Sequence, residues 1–166
     1  MTDVAVITVS DSCCKGLRTD LSGPAIATEL ATQGFDVKLR LLVADEQRAI
    51  EDALRSAANE VSLVVTTGGT GISARDVTPE ATRAVCGRLL EGVSEVMRSE
   101  GRKETPFAAL SRAVCGTVRI PGRDVLILNL PGSPRGAVTS LHATLPLVKH
   151  ALDLLSGNLE HSGGAH

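Results

Sequence analysis

Short β-branched and aliphatic runs, Val4–Val9, Val61–Thr66 and Val125–Leu130, alternate along this chain with segments of helical periodicity. No other feature constrains the fold as strongly. Runs that are apolar on both faces must be covered on both faces, which is the condition of strands inside a mostly parallel sheet. What fills the interior is equally restricted. The 166 residues include no Trp, no Tyr and two Phe, yet 43% of them are hydrophobic. Ala, Val, Leu and Ile must therefore make the core, a composition suited to helices laid against β-branched strands.

Read in order, the chain predicts a strand over Asp3–Ser10 and a polar loop over Asp11–Asp20. Ser22-Gly23-Pro24 then opens a helix, with Ser22 as its cap and Gly34 as its stop. Asp36–Val43 predicts a second strand, and Glu46–Asn59 a helix with Ile50, Ala53, Leu54 and Ala57 on one face. After the strand Val61–Thr66, Thr78-Pro79-Glu80-Ala81 reads as a capped helix start, and Gly92–Gly101 carries another helix. Val114–Ile120 and Val125–Leu130 predict two strands around the turn Pro121-Gly122-Arg123-Asp124, and Arg135–Leu155 a long last helix. The expectation is a single α/β domain over residues 1–155, an open and mostly parallel sheet with helices on both faces. A short polar tail, 156–166, follows and is expected to fray.

Composition excludes some partners. With 17 basic and 19 acidic residues there is no basic excess to attract phosphate backbones, and few aromatics on which bases could stack. Nucleic acid is therefore not expected as a partner. Neither a signal peptide nor an apolar run long enough to span a membrane is visible, so the expected location is the cytoplasm. Cys13, Cys14, Cys86 and Cys115 show neither C-x-x-C spacing nor a disulfide rhythm, and read as reduced thiols. The adjacent pair Cys13-Cys14 could be a redox device, but no resolving motif lies nearby. His142 and His150 on the last helix, with His161 and His166 in the tail, read as surface residues without zinc spacing.

In open α/β sheets ligands bind at the carboxyl ends of strands. Here those ends carry Ser10-Asp11-Ser12, Asp45, the loop Gly68-Gly69-Thr70-Gly71, and Pro131-Gly132-Ser133. The glycines let backbone N–H groups approach an oxyanion, and the hydroxyls of Thr66, Thr67 and Thr70 add donors; the competing reading is a tight strand-to-helix turn. Neither the Walker pattern nor the dinucleotide fingerprint is present. Asp45 and Asp76 form the best acidic pair. Two carboxylates beside a phosphate site make sense through a divalent cation that takes one or two carboxylates and bridges to phosphate oxygens. The alternatives are an N-cap for Asp45 and an ion pair with Arg75 for Asp76. Asp11 is a third acid with an equal claim to a turn role. Ser10, Ser12, Ser111 and Ser133 could orient an anionic or heterocyclic ligand.

The string Thr66-Thr67-Gly68-Gly69-Thr70-Gly71, followed by Arg75-Asp76-Val77-Thr78-Pro79-Glu80-Ala81, resembles the signature of the MogA/MoaB molybdopterin-binding family. That family includes the N-terminal domain of gephyrin. Val9-Ser10-Asp11-Ser12, Asp45-Glu46, Leu110-Ser111-Arg112 and Asn129-Leu130-Pro131-Gly132-Ser133-Pro134 extend the likeness over about Val4 to Leu155. The resemblance implies a three-layer α/β fold, commonly trimeric, that binds molybdopterin. Its active members use ATP and Mg²⁺ to make adenylylated molybdopterin with release of pyrophosphate, a step of molybdenum cofactor biosynthesis. By the same resemblance Asp45 and Asp76 match functional aspartates serving metal and nucleotide. Ser111 matches a serine that anchors the pterin, and Ser10, Asp11 and the glycine loop line the cleft. Two alternatives follow: a non-catalytic molybdopterin carrier, against which the retained aspartates speak, and the molybdate-insertion enzyme. The latter usually carries additional domains for which 166 residues leave no room, and is instead the expected recipient of the product.

Overall fold

The computed structural model describes residues 1–157. The expected polar tail beyond Gly157, with His161 and His166, lies outside the described residues. One six-stranded sheet runs through the molecule in the order β2-β1-β3-β6-β5-β4. Its strands are β1 (Thr2–Val9), β2 (Phe35–Val43), β3 (Leu63–Thr67), β4 (Arg88–Leu89), β5 (Cys115–Ile120) and β6 (Arg123–Leu130). β1, β2, β3 and β6 are parallel, and β5 alone is reversed against its neighbours.

Alternation along each central strand sends side chains into two separate cores. Val4 and Val6 of β1, Leu63 and Val65 of β3, and Leu126, Leu128 and Leu130 of β6 face one side. There they meet α2 (Ser22–Thr32), α5 (Glu91–Gly101) and α6 (Pro134–Leu155) through Ile26, Leu30, Met97, Leu141 and Val148. Ala5, Ile7, Val64, Val125 and Ile127 face the other side. That face is covered by α3 (Gln47–Glu60) and α4 (Thr78–Val85), with Ile50, Leu54, Ala57, Ala81 and Val85. The result is three layers, as expected. Phe35 is the one aromatic in these cores, so aliphatic packing carries the interior.

Several local expectations are corrected. The segment expected as a loop after β1 begins with a short helix, α1 (Asp11–Cys14), capped by Ser10, whose Oγ accepts from Cys13 N–H. Ser22 lies inside α2 and does not cap it. The cap is supplied from outside the helix by Asp20, whose carboxylate accepts Gly23 N–H at 3.0 Å and the Thr8 hydroxyl at 2.7 Å. Thr78 starts α4 without capping it; its hydroxyl donates to Gly68 O instead. A 3₁₀ turn over Pro106–Leu110 and the two-residue β4 had no periodic signal to betray them. The hairpin turn is Pro121-Gly122, because Arg123 and Asp124 already pair within the ladder, opposite Ile120 and Arg119. Arg123 has a second function there: its guanidinium donates to the carbonyls of Ala58, Asn59 and Val61 at the end of α3.

One polar residue pins the sheet from within. Asn129, fully buried on β6, donates to the hydroxyls of Thr66 and Thr82 at 3.0 Å and accepts Val114 N–H at 3.1 Å. Truncation strands those partners in a dry core, where each unsatisfied group costs about 1–3 kcal/mol. Asn129→Ala is thus expected to lose about 3 kcal/mol in urea denaturation; an unchanged midpoint would show that water satisfies the network.

Candidate active site

The carboxyl ends of β1, β2, β3 and β6 open onto one cleft with two lobes. The polar lobe, a cavity of about 590 Å³, is lined by Ser10, Asp11, Ser12, Asp20, Asp45 and Gly68 among others. The apolar lobe, about 480 Å³, is lined by Thr70, Gly71, Ile72, Met97, Phe107, Leu110 and Ser111. Gly69, Asp76, Gly132 and Ser133 belong to both and form the junction; Pro131 lines the apolar side. Each residue singled out at the strand ends therefore lies on one cleft.

Close backbone crossing explains the glycines. Gly68 has φ +100°, and a Cβ there would stand 2.3 Å from the Val9 carbonyl oxygen. A Cβ on Gly132 would come within 3.3 Å of the Gly68 Cα, so the loops after β3 and β6 touch through glycine. The threonine hydroxyls expected as phosphate donors have other work. Thr66 Oγ1 accepts from Asn129, and Thr67 Oγ1 donates to Pro131 O at 2.7 Å. The first ties β3 to β6 and the second ties the end of β3 to the loop after β6; Thr70 remains on the cleft wall.

The acidic residues make a frame, Asp11 with Asp45, and a half-buried pair on the cleft, Asp45 with Asp76. Asp11 and Asp45 clip the ends of β1 and β2 reciprocally: Asp11 N–H donates to Asp45 Oδ2 at 2.8 Å, and Asp45 N–H to Asp11 Oδ1 at 2.9 Å. Arg75 reaches Asp11 Oδ2 at 2.5 Å, so both Asp11 oxygens are engaged. That contact corrects the alternative reading of Asp76, which is not paired with Arg75. The N-cap alternative for Asp45 falls too, since α3 begins at Gln47 with Glu46 as its cap residue. Asp45 Oδ1 is left facing Gly69, 3.2 Å from where a Cβ on that glycine would stand. Asp76 uses Oδ2 to accept Ser73 N–H at 2.9 Å and keeps Oδ1.

Charge follows from these contacts. The Arg75 bond, with the Asp45 amide, holds the Asp11 carboxyl below its ordinary value. Burial pushes the Asp45 carboxyl up; the Asp11 amide opposes this, and the negative charges of Asp11 and Asp76 reinforce it. An acid raised in this way destabilises the fold in its ionised form. The penalty is fully present above the folded pKa and is relieved as pH falls through it. Asp45→Asn keeps an acceptor for Asp11 N–H, so in the absence of divalent cation it should melt higher than wild type at neutral pH. The gain should shrink on acidification. A lower Tm at neutral pH would contradict this electrostatic account.

Oriented dipoles complete the site. α6 is 22 residues long and starts at the junction, with Ser133 Oγ accepting Gly136 N–H at 3.2 Å, so its positive end faces the cleft. Ser10 Oγ lies 3.1 Å from Ser12 Oγ, and Ser111 looks into the apolar lobe. Among the described residues neither lobe carries a histidine; His142 sits on α6, paired with Glu29 at 2.6 Å. The cysteines are unpaired, and burial pushes Cys86 up to about 11 and Cys115 up to about 12, so both stay protonated. Sequence reasoning missed the apolar wall of Ile72 and Phe107. It also gave no role to Arg112, which binds the glycine loop's carbonyls, or to its partner Glu80. The signal for the wall was present: Phe107 is one of two Phe in the chain, placed outside any periodic core pattern.

Comparison with known proteins bears on this geometry. A family described as "Probable molybdopterin binding domain" matches residues 5–150. The molybdopterin adenylyltransferase of Helicobacter pylori (strain J99) is 41% identical over 160 residues, 93% of this chain and 88% of that protein. The molybdopterin adenylyltransferase of Escherichia coli (strain K12) is also 41% identical, over 153 residues, 89% of this chain and 74% of that one. Among solved structures, the molybdopterin biosynthesis enzyme MoaB of Thermus thermophilus superposes with a TM-score of 0.85 at 47% identity, covering 95% of this chain and 98% of that one.

Proposed function

Because the chain belongs to the molybdopterin-binding domain family, we propose that it is a molybdopterin adenylyltransferase of molybdenum cofactor biosynthesis. The observation that carries this reading is the two-lobed cleft whose halves meet at Gly69, Asp76, Gly132 and Ser133. The apolar lobe, with Ser111 on its wall, takes the pterin. The polar lobe takes the phosphates of ATP. The junction is where they react.

The terminal phosphate of molybdopterin attacks the α-phosphorus of ATP. A new P–O bond forms there, the bond to the β-phosphate bridging oxygen breaks, and pyrophosphate leaves. The nucleophile is already anionic and needs no base. Catalysis reduces to positioning and charge. The amides of Gly69–Gly71 and the N-terminus of α6 face the phosphates, and Ser10 and Ser133 offer hydroxyls.

Mg²⁺ fits the donor set. Asp45 Oδ1 and Asp76 Oδ1 would hold it: Arg75 neutralises Asp11, both Asp20 oxygens are taken by Thr8 and Gly23, and Asp45 and Asp76 are left for a cation. Among the described residues no group of three or more His, Cys, Asp or Glu side chains is placed to hold a metal ion by itself. With two carboxylates, water and substrate oxygens would complete the ion's shell. Bound there, Mg²⁺ supplies neutralisation of the triphosphate charge.

The reading extends to a cytoplasmic homotrimer that passes its product to a molybdate-inserting enzyme. Exposed Leu17, Leu42 and Leu147 are apolar surface that an assembly could cover, and no helix among the described residues is long and apolar enough to cross a membrane. The deciding test is a coupled assay with molybdopterin, ATP and Mg²⁺, scoring adenylylated product and pyrophosphate. Both should appear together in equal amounts. Tight molybdopterin binding without product would make the protein a carrier.

A further inference from the structure

Between β3 and α4 the chain runs without regular structure, and this loop carries Asp76 to the junction. Its main chain is held largely from elsewhere. Arg112 binds three loop carbonyls: Thr70 O through its backbone N–H at 2.9 Å, Gly71 O through Nε at 2.7 Å, and Asp76 O through Nη2 at 2.7 Å. Nη1 donates to Glu80 Oε1 on the first turn of α4. Glu80 Oε2 is buried without a hydrogen-bond partner among the described residues, so this carboxylate leans on its pairing with Arg112. The preceding residue, Ser111, lines the apolar lobe, and Arg98 Nη1 approaches its carbonyl at 3.4 Å.

Resting on the adenylyl-transfer reading, we infer that Arg112 is a positioning residue that fixes the gap between Ser111 on the pterin wall and Asp76 at the metal side. The planar fork is what makes this possible. Its donors diverge at set angles to carbonyls at both ends of the 70–76 segment, while Glu80 stops the fork from rotating. A lysine, a single flexible ammonium, can satisfy one of these acceptors and leaves the others slack. Arg112 touches neither substrate; it acts through where it holds Asp76.

The test uses the full chain with Arg112→Lys, Glu80→Gln and Glu80→Ala, and one readout independent of chemistry. Arg75 sits at the tip of the loop and is exposed, so native-state trypsin cleavage after Arg75 reports how often the loop opens. Arg112→Lys is expected to be cut there about tenfold faster than wild type, with Tm nearly unchanged. Its kcat should fall roughly 10–100-fold and its Mg²⁺ half-saturation concentration should rise. Glu80→Gln keeps an acceptor for Nη1 and should resemble wild type, whereas Glu80→Ala should resemble Arg112→Lys. Wild-type cleavage and Mg²⁺ dependence in Arg112→Lys would overturn the inference. So would a fall in kcat that tracks a lower Tm at unchanged Mg²⁺ half-saturation. If the wild-type protein transfers no adenylyl group, the functional reading fails, while the cleavage rates still decide whether Arg112 holds the loop.

Discussion

Asp76→Asn is expected to lower the rate of adenylyl transfer by about 10²–10³-fold while the protein folds as before. Asparagine is the same size, and its side-chain oxygen can still accept Ser73 N–H, the bond that shapes the loop tip. What disappears is the negative charge on the junction between the lobes, the one acid that both share. On the proposed reading a divalent cation would then be held by Asp45 alone, and the triphosphate charge would be left poorly neutralised during transfer. Molybdopterin binding, proposed for the apolar lobe, should change little. The measurement is kcat at saturating substrates across a Mg²⁺ titration. A variant that turns over like wild type at every Mg²⁺ concentration would remove Asp76 from the mechanism. Recovery only at high Mg²⁺ would instead show that its role is affinity for the ion.

The second large effect is on stability. Gly68→Ala should cost about 3–5 kcal/mol, a drop in Tm of roughly 10 °C. Two penalties combine at this position. The backbone sits at φ +100°, a region that L-residues rarely enter, and the added methyl would stand 2.3 Å from the Val9 carbonyl oxygen. Nothing nearby can yield cheaply: Gly68 N–H donates to Leu130 O at 3.2 Å, and Gly68 O accepts the Thr78 hydroxyl at 2.9 Å. Gly122→Ala provides the contrast. Its φ of +85° is also positive, but a Cβ there meets nothing within 4 Å, so it should cost about 1–2 kcal/mol. Equal losses from the two substitutions, in matched thermal melts, would mean that conformational strain alone decides and that the loop crossing is not tight.

The architecture was legible because its signals are local and repeat. Val4–Ile7 is apolar on successive residues, which calls for a strand covered on both faces, and Ile50, Leu54 and Ala57 recur at helical spacing on α3. Arg88-Leu89 shows what local signals leave out. Both residues of β4 are exposed, and only pairing with Thr117 and Gly116 makes them a strand. The same division runs through the site. Asp45, Asp76 and the glycines announce themselves by following strands. The alternatives weighed for the two aspartates could not be dismissed from sequence: for Asp76 the choice needed a long-range contact, Arg75 on Asp11, which spans 64 residues, and for Asp45 it needed the start of α3 fixed at Gln47. Arg112 was quoted among the family-like motifs but given no role for a related reason. Its loop partners are carbonyl oxygens, and main-chain acceptors have no residue type to recognise.

The aliphatic interior also decides how this protein can be watched. Lacking tryptophan and tyrosine, the polypeptide is nearly dark in the near ultraviolet and has almost no emission of its own. A fluorescent pterin entering the cleft would therefore be seen against an almost blank background. The two phenylalanines divide the remaining duties: Phe35 is packed in the core, and Phe107 stands exposed on the rim of the apolar lobe. Fluorine-labelled phenylalanine would accordingly give two resonances, one following ligand at the cleft and the other, in the same spectrum, serving as a fixed internal reference for the fold.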